Sequence, residues 1–93
     1  MNKKQLKILD KALMRNGVEE QLLVCMEEPA EMIQAITKAE RYPDKVNRIG
    51  NVIEEIADFS ICIEYLKMIY NIDQSEIDEM IIKKIDRVNE RMG

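Results

Sequence analysis

Residues 26–38 read Met-Glu-Glu-Pro-Ala-Glu-Met-Ile-Gln-Ala-Ile-Thr-Lys. Apolar residues recur through this stretch every three or four positions, the period of an α-helix, and nothing in it alternates as a strand would. Two faces of the helix are apolar at once. Leu22, Met26, Ile33 and Ile36 line one face, while Val24 and Ala35 line the other with Glu28 set between them. A helix that is apolar on two faces needs two packing partners.

Working outward, the same period divides the chain into four helices. The first, over about residues 3–14, carries Leu6, Leu9 and Leu13 on one side and is stopped by Asn16-Gly17. The second spans about 18–41 and ends at Tyr42-Pro43-Asp44, because a residue before proline avoids the helical region. A linker of about 42–50, with room for one helical turn, leads to a third helix over about 51–70. Asp73 and Glu76 then have the spacing of a capping box and start a fourth helix that runs to about 91. Pro29 is discordant, since inside a helix it removes a backbone hydrogen bond and bends the axis at a cost of about 3 kcal/mol. The expected protomer is a single all-α domain over 1–93, of four-helix bundle type.

Composition narrows the chemistry. The chain has 93 residues, 46 % apolar and 34 % charged, with only three Gly and two Pro, which favours ordered helix. Cys25 and Cys62 lack metal or redox spacing and read as buried, reduced thiols. Histidine is absent, which excludes Ser-His-Asp and Cys-His catalysis, zinc-histidine sites and the Glu-x-x-His of di-iron bundles. Net charge is -4 and no basic patch is interleaved with aromatics, so nucleic acid is not expected as a ligand. Neither an export-type opening nor the roughly 18 apolar residues of a membrane span occurs, and a cytoplasmic location without membrane association is expected by default. A chain this short buries a small core, so its doubly apolar helices predict a homo-oligomer, a dimer or a tetramer.

The acids carry the functional signal. Glu27-Glu28-Pro29-Ala30-Glu31 and Glu54-Glu55-Ile56-Ala57-Asp58 both read E-E-x-x-acid. Residues three apart share a helix face, so Glu28 pairs with Glu31 and Glu55 with Asp58. Glu55 and Asp58 fall in the stripe of Cys62, Leu66 and Ile69, which should be buried. Carboxylates facing one another there lose hydration and repel, so something must compensate. Magnesium suits the role as a hard cation that takes oxygen ligands from one or two carboxylates, water and phosphate, with manganese as the alternative. Without these four, the 18 acids fall to 14, equal to the 14 bases. One such cluster alone usually means a solvated helix face. Two of them on adjacent helices, both in apolar stripes, point to a metal site.

With these residues the chain resembles the all-α nucleoside triphosphate pyrophosphohydrolases, a family that includes MazG, the dimeric dUTPases, the dCTP pyrophosphatases and phosphoribosyl-ATP pyrophosphohydrolase. Their hallmark, E-E-x-x-E followed by E-x-x-D, is matched by Glu27, Glu28 and Glu31, then Glu55 and Asp58, within Met-Glu-Glu-Pro-Ala-Glu-Met-Ile-Gln-Ala-Ile-Thr-Lys and Asn-Val-Ile-Glu-Glu-Ile-Ala-Asp. The likeness covers about 18–91. Proline at 29 departs from the more usual small residue, and the Ser-Tyr-Thr-type segment of the phosphoribosyl-ATP enzymes is missing. The resemblance implies a MazG-like hydrolase that converts a nucleoside or deoxynucleoside triphosphate to monophosphate and pyrophosphate. It assigns Glu28, Glu31, Glu55 and Asp58 as ligands of two or more Mg²⁺ ions. Glu27, with Glu54 as second choice, is the carboxylate that orients or deprotonates water.

Triphosphate also needs protein cations. Lys84, Arg87 and Arg91 share a face of the fourth helix and match a K-x-x-R ending frequent in the family; Lys38 and Arg41 at the end of the second helix form another candidate set. Near helix C-termini such residues also serve the dipole. A rival reading is a non-catalytic helical interaction or regulatory module that keeps the fold, against which the four motif acids argue. A carboxylate-bridged iron or manganese protein is opposed by the missing Glu-x-x-His.

Overall fold

In the computed structural model, which describes residues 1–42 and 47–93, the chain is all-helical, with four helices and no strand among the described residues. Helix α1 covers Lys3–Asn16, α2 Val18–Arg41, α3 Asn47–Tyr70 and α4 Gln74–Met92. Local chemistry explains most of these bounds. Asn2 caps α1: its Oδ1 accepts the Gln5 N–H at 2.8 Å while Gln5 Oε1 accepts the Asn2 N–H at 3.0 Å, a reciprocal box that satisfies two free donors. Gly17 alone joins α1 to α2, at φ 91° and ψ 155°. Asn71 ends α3 in the left-handed region at φ 53°, and the Ile72 N–H reaches back to the Lys67 carbonyl at 2.9 Å. At the start of α4, Glu76 Oε2 accepts the Asp73 N–H at 2.9 Å, as the spacing of those two residues predicts.

Helix α3 begins at Asn47 rather than near residue 51, so the second half of the expected linker is its first turn. The predicted break at Pro43-Asp44 lies outside the described residues. Helix α2 runs through Pro29 without interruption.

The packed part of the protomer is the antiparallel pair α2 and α3, with α1 lying more lightly against both. Cys25 faces Cys62, where its thiol donates to the Cys62 carbonyl at 3.8 Å, and Glu28 and Glu31 face Asp58 and Glu55. Gln21 and Tyr65 line one cleft with Glu28, Glu31, Asp58 and Cys62. In each facing pair the two residue numbers sum to about 86, a register that holds along the seam. Ala35, Cys62 and Tyr65 are its buried apolar residues, and no described side chain is fully sequestered.

Helix α4 stands apart from this pair, with no substantial packing on α1, α2 or α3 among the described residues. Bundle-like packing is therefore confined to α1–α3. Ile81, Ile82, Ile85 and Val88 remain exposed on α4, and Met26 and Ile33 remain exposed on the outer face of α2. The radius of gyration is 16.2 Å, well above the roughly 12 Å of a compact chain this long. No described helix is long and apolar enough to cross a membrane.

The two internal glycines predict opposite responses to alanine. Gly50 lies in the first turn of α3 with open space around its missing Cβ, so Gly50→Ala should stabilise by about 0.5–1 kcal/mol. Gly17 also has space, but its positive φ excludes a side chain, and Gly17→Ala should destabilise by about 1–3 kcal/mol. Urea denaturation of both variants beside the parent checks the two signs.

Candidate metal centre

The register of α2 against α3 brings both acidic pairs to one level. One carboxylate oxygen from each of Glu28, Glu31, Glu55 and Asp58 lies within 4.8 Å of the others. Their burial differs. Glu28 is only 5 % exposed and Glu55 is half-buried, whereas Glu31 and Asp58 are exposed. Asp58 thus sits at the rim of the stripe rather than under it, because no described residue covers that side of the thin helix pair.

Glu28 Oε1 and Glu55 Oε2 are buried atoms with no hydrogen-bond partner. An unpartnered buried carboxylate oxygen is costly. In the metal-free protein a proton relieves part of that cost, and the Glu28 carboxyl is pushed up to about 7. The largest cause is the neighbouring Glu55 carboxylate, to which a protonated Glu28 can donate; burial comes next, then the negative charges of Glu55, Glu31 and Asp58. Four clustered carboxylates, two of them with a buried, unpartnered oxygen, fit a hard divalent cation.

Glu27, the proposed water-orienting carboxylate, is exposed and lines the same cleft of about 300 Å³ as Gln21, Glu28, Glu31, Asp58 and Tyr65. Glu54 is exposed and does not line it. Below the carboxylates, the buried Cys62 thiol is pushed up to about 12, first by burial, then by the neighbouring Cys25 thiol and by nearby negative charge. Both cysteines are free; Cys62 is a protonated, inert packing group, as the sequence reading has it.

The basic candidates are placed less closely. Lys38 and Arg41 are exposed in the last turn of α2. Lys84, Arg87 and Arg91 are exposed on α4, and Lys84 borders an apolar groove of that helix with Ile77, Ile81 and Ile85. None of the five lines the acidic cleft. Two polar residues on the seam were missed by the sequence reading. Gln21, seven positions before Glu28, is buried at the cleft wall. Arg48 is half-buried, and its Nε is the one other buried side-chain atom without a partner among the described residues. The signal for both was the seven-residue spacing, two helical turns from an acid already singled out.

Comparison with known protein families, with curated proteins and with solved structures gives no match to this chain.

Glu28 makes the site testable without a substrate. The unfolded carboxyl titrates near 4.5 and the folded one near 7, so between these values the folded metal-free protein holds the extra proton. Its contribution to stability is fully present below 4.5 and is lost as pH rises through about 7. Melting temperature without metal should therefore fall from pH 5 to pH 8. Glu28→Gln should flatten that fall, melt at or above the parent at pH 8 in EDTA, and lose most of the Mg²⁺-induced rise. A variant that melts well below the parent in EDTA but keeps the metal response would assign Glu28 to the scaffold.

Proposed function

We propose that the chain is a magnesium-dependent nucleoside triphosphate pyrophosphohydrolase of the MazG-like, all-α type. The observation that carries this reading is the four-carboxylate cluster, with two buried, unpartnered oxygens, at the level where the two E-E-x-x-acid segments face each other. Bound Mg²⁺ supplies Lewis acidity and neutralises charge on phosphate oxygens. Glu28, Glu31, Glu55 and Asp58 hold the ion and fix its position. Glu27, exposed in the same cleft, orients the attacking water and takes its proton on a carboxylate oxygen. The open side of the cleft, where Glu31 and Asp58 are exposed, admits the phosphate chain. Lys38 and Arg41 contribute positive charge at the end of α2, and manganese is the alternative ion.

The products expected are the nucleoside monophosphate and pyrophosphate. With a panel of nucleoside and deoxynucleoside triphosphates and Mg²⁺, purified protein should release pyrophosphate and no orthophosphate. EDTA, Asp58→Asn and Glu55→Gln should each remove nearly all turnover. Orthophosphate released by a sample free of contaminating pyrophosphatase, or parent-like turnover in Asp58→Asn, would overturn the reading.

A homo-oligomer, dimeric or tetrameric, belongs to the same proposal. Its support is the apolar stripe of α4 and the outer face of α2, both bare in the protomer, since large exposed apolar patches are rare on monomers. Lys84, Arg87 and Arg91 share α4 with that stripe, so its docking on a second chain would carry them toward a neighbouring cleft. Light scattering at micromolar concentration should give a multiple of 10.9 kDa, and Ile85→Glu should shift it toward one chain mass. A parent that scatters as a single chain would remove this part.

A further inference from the structure

Three buried side-chain atoms lack partners among the described residues: Glu28 Oε1 and Glu55 Oε2 in the acidic cluster, and Arg48 Nε on α3. Two are acceptors and one is a donor, so a metal ion alone satisfies only part of the set. Arg48 precedes Glu55 by seven residues, which puts it on the same face of α3 about 10.5 Å away along the axis. Lys38 follows Glu31 by seven residues and has the same relation to it on α2. The register that sets Glu31 against Glu55, carried two turns onward, sets Lys38 across from Arg48. Both cations thus lie beyond the carboxylates at one end of the seam. At the other end stand Gln21 and Tyr65, both buried.

Arg48 is held but not consumed by its surroundings. Its Cζ lies 5.2 Å from the centroid of the Tyr42 ring, a cation–π contact that holds the guanidinium in place without using its N–H donors. No ion pair or hydrogen bond to Arg48 occurs among the described residues. A guanidinium held in this way, with no donor paired among the described residues, is suited to bidentate binding of phosphate oxygens.

We propose that Arg48, oriented by Tyr42 and assisted by Lys38, binds the terminal phosphate of the substrate and so fixes the direction in which a triphosphate lies along the seam. This rests on the pyrophosphohydrolase reading above and extends it. Charge supports the assignment: the carboxylates are compensated by bound cations, which leaves the phosphate tail in need of positive charge beyond them. The nucleoside then lies toward Gln21 and Tyr65, and the leaving pyrophosphate toward Arg48.

The test uses inorganic tripolyphosphate with Mg²⁺ as the probe, and a nucleoside monophosphate for comparison, both by titration calorimetry on the full chain. Arg48→Met should weaken tripolyphosphate binding at least tenfold, while monophosphate binding and Mg²⁺ affinity without phosphate stay within about twofold of the parent. Arg48→Lys, which keeps the charge but loses the fork, should fall between the two. The control Arg15→Met, on α1, should bind tripolyphosphate as the parent does. Unchanged tripolyphosphate affinity in Arg48→Met, or equal weakening for tripolyphosphate and monophosphate, overturns the proposal. If Arg48→Met does not fold, Arg48→Lys and Arg48→Gln carry the same comparison, and parent-like affinity in Arg48→Gln overturns it. A parent that binds neither Mg²⁺ nor Mg²⁺-tripolyphosphate overturns the pyrophosphohydrolase reading itself, an outcome distinct from failure at Arg48 alone.

Discussion

Helices α2 and α3 meet through a seam whose middle is the wrong chemistry for a core. Where a helix pair of 24 residues each would gain most from Leu and Ile, this one places four carboxylates with oxygens within 4.8 Å of one another. Like charges at that separation cannot all persist in a half-dry environment. The metal-free protein answers with a proton on Glu28, and the site is built so that a cation can take the proton's place. Packing on either side of the acids has to hold the helices together against the repulsion. Gln21, Tyr65 and Cys62 do so on one side and Ala35 on the other, and these are nearly all of the buried residues described.

Such a small set of buried side chains explains why the protomer is extended. Apolar residues are plentiful in the sequence, but many face outward, from α4 and from the outer side of α2. Surface of this kind stabilises only when another surface covers it. The arrangement separates two kinds of surface: the inner seam is committed to charge, while many apolar side chains lie on the outer faces. Substituting the acids by apolar residues would make a better-packed helix pair with no reason to bind a cation.

How far these features could be read in the sequence depended on the kind of signal. Punctuation gave the helices: Gly17 between α1 and α2, and Asp73 with Glu76 before α4, act through local backbone chemistry that needs no tertiary context. The start of α3 was placed late because Asn47-Arg48-Ile49-Gly50 holds a glycine and follows closely on Pro43, so the segment reads as linker. That error hid Arg48, which joins the face of Glu55 only once α3 starts early enough to include it. The four acids were legible from three-residue spacing and from the apolar stripes they interrupt. Burial was not, since Glu28 and Glu31 look equivalent as letters yet one is sequestered and the other open. Nor could periodicity show that α4 stands apart, because an amphipathic stripe has the same pattern whether its own chain or another surface covers it.

The end of the seam beyond the carboxylates has an electrostatic asymmetry of its own. There the C-terminus of α2 presents carbonyl groups and the N-terminus of α3 presents amides, so dipole ends of opposite sign meet at one place. Lys38 and Arg41 sit in the last turn of α2, where positive charge offsets the carbonyl end. Arg48 sits in the first turn of α3, where positive charge adds to the amide end and is locally unfavourable. A cation at a helix N-terminus, with a buried nitrogen lacking a partner, is a local loss of stability on both counts. An anion bound there would reverse both terms together, by pairing with the guanidinium and by facing the amides. The acids at mid-seam have the complementary imbalance, which a cation reverses. On the proposed reading, one ligand that joins a divalent cation to a chain of phosphates would relieve both in a single binding event, and neither a metal nor an anion would do so alone.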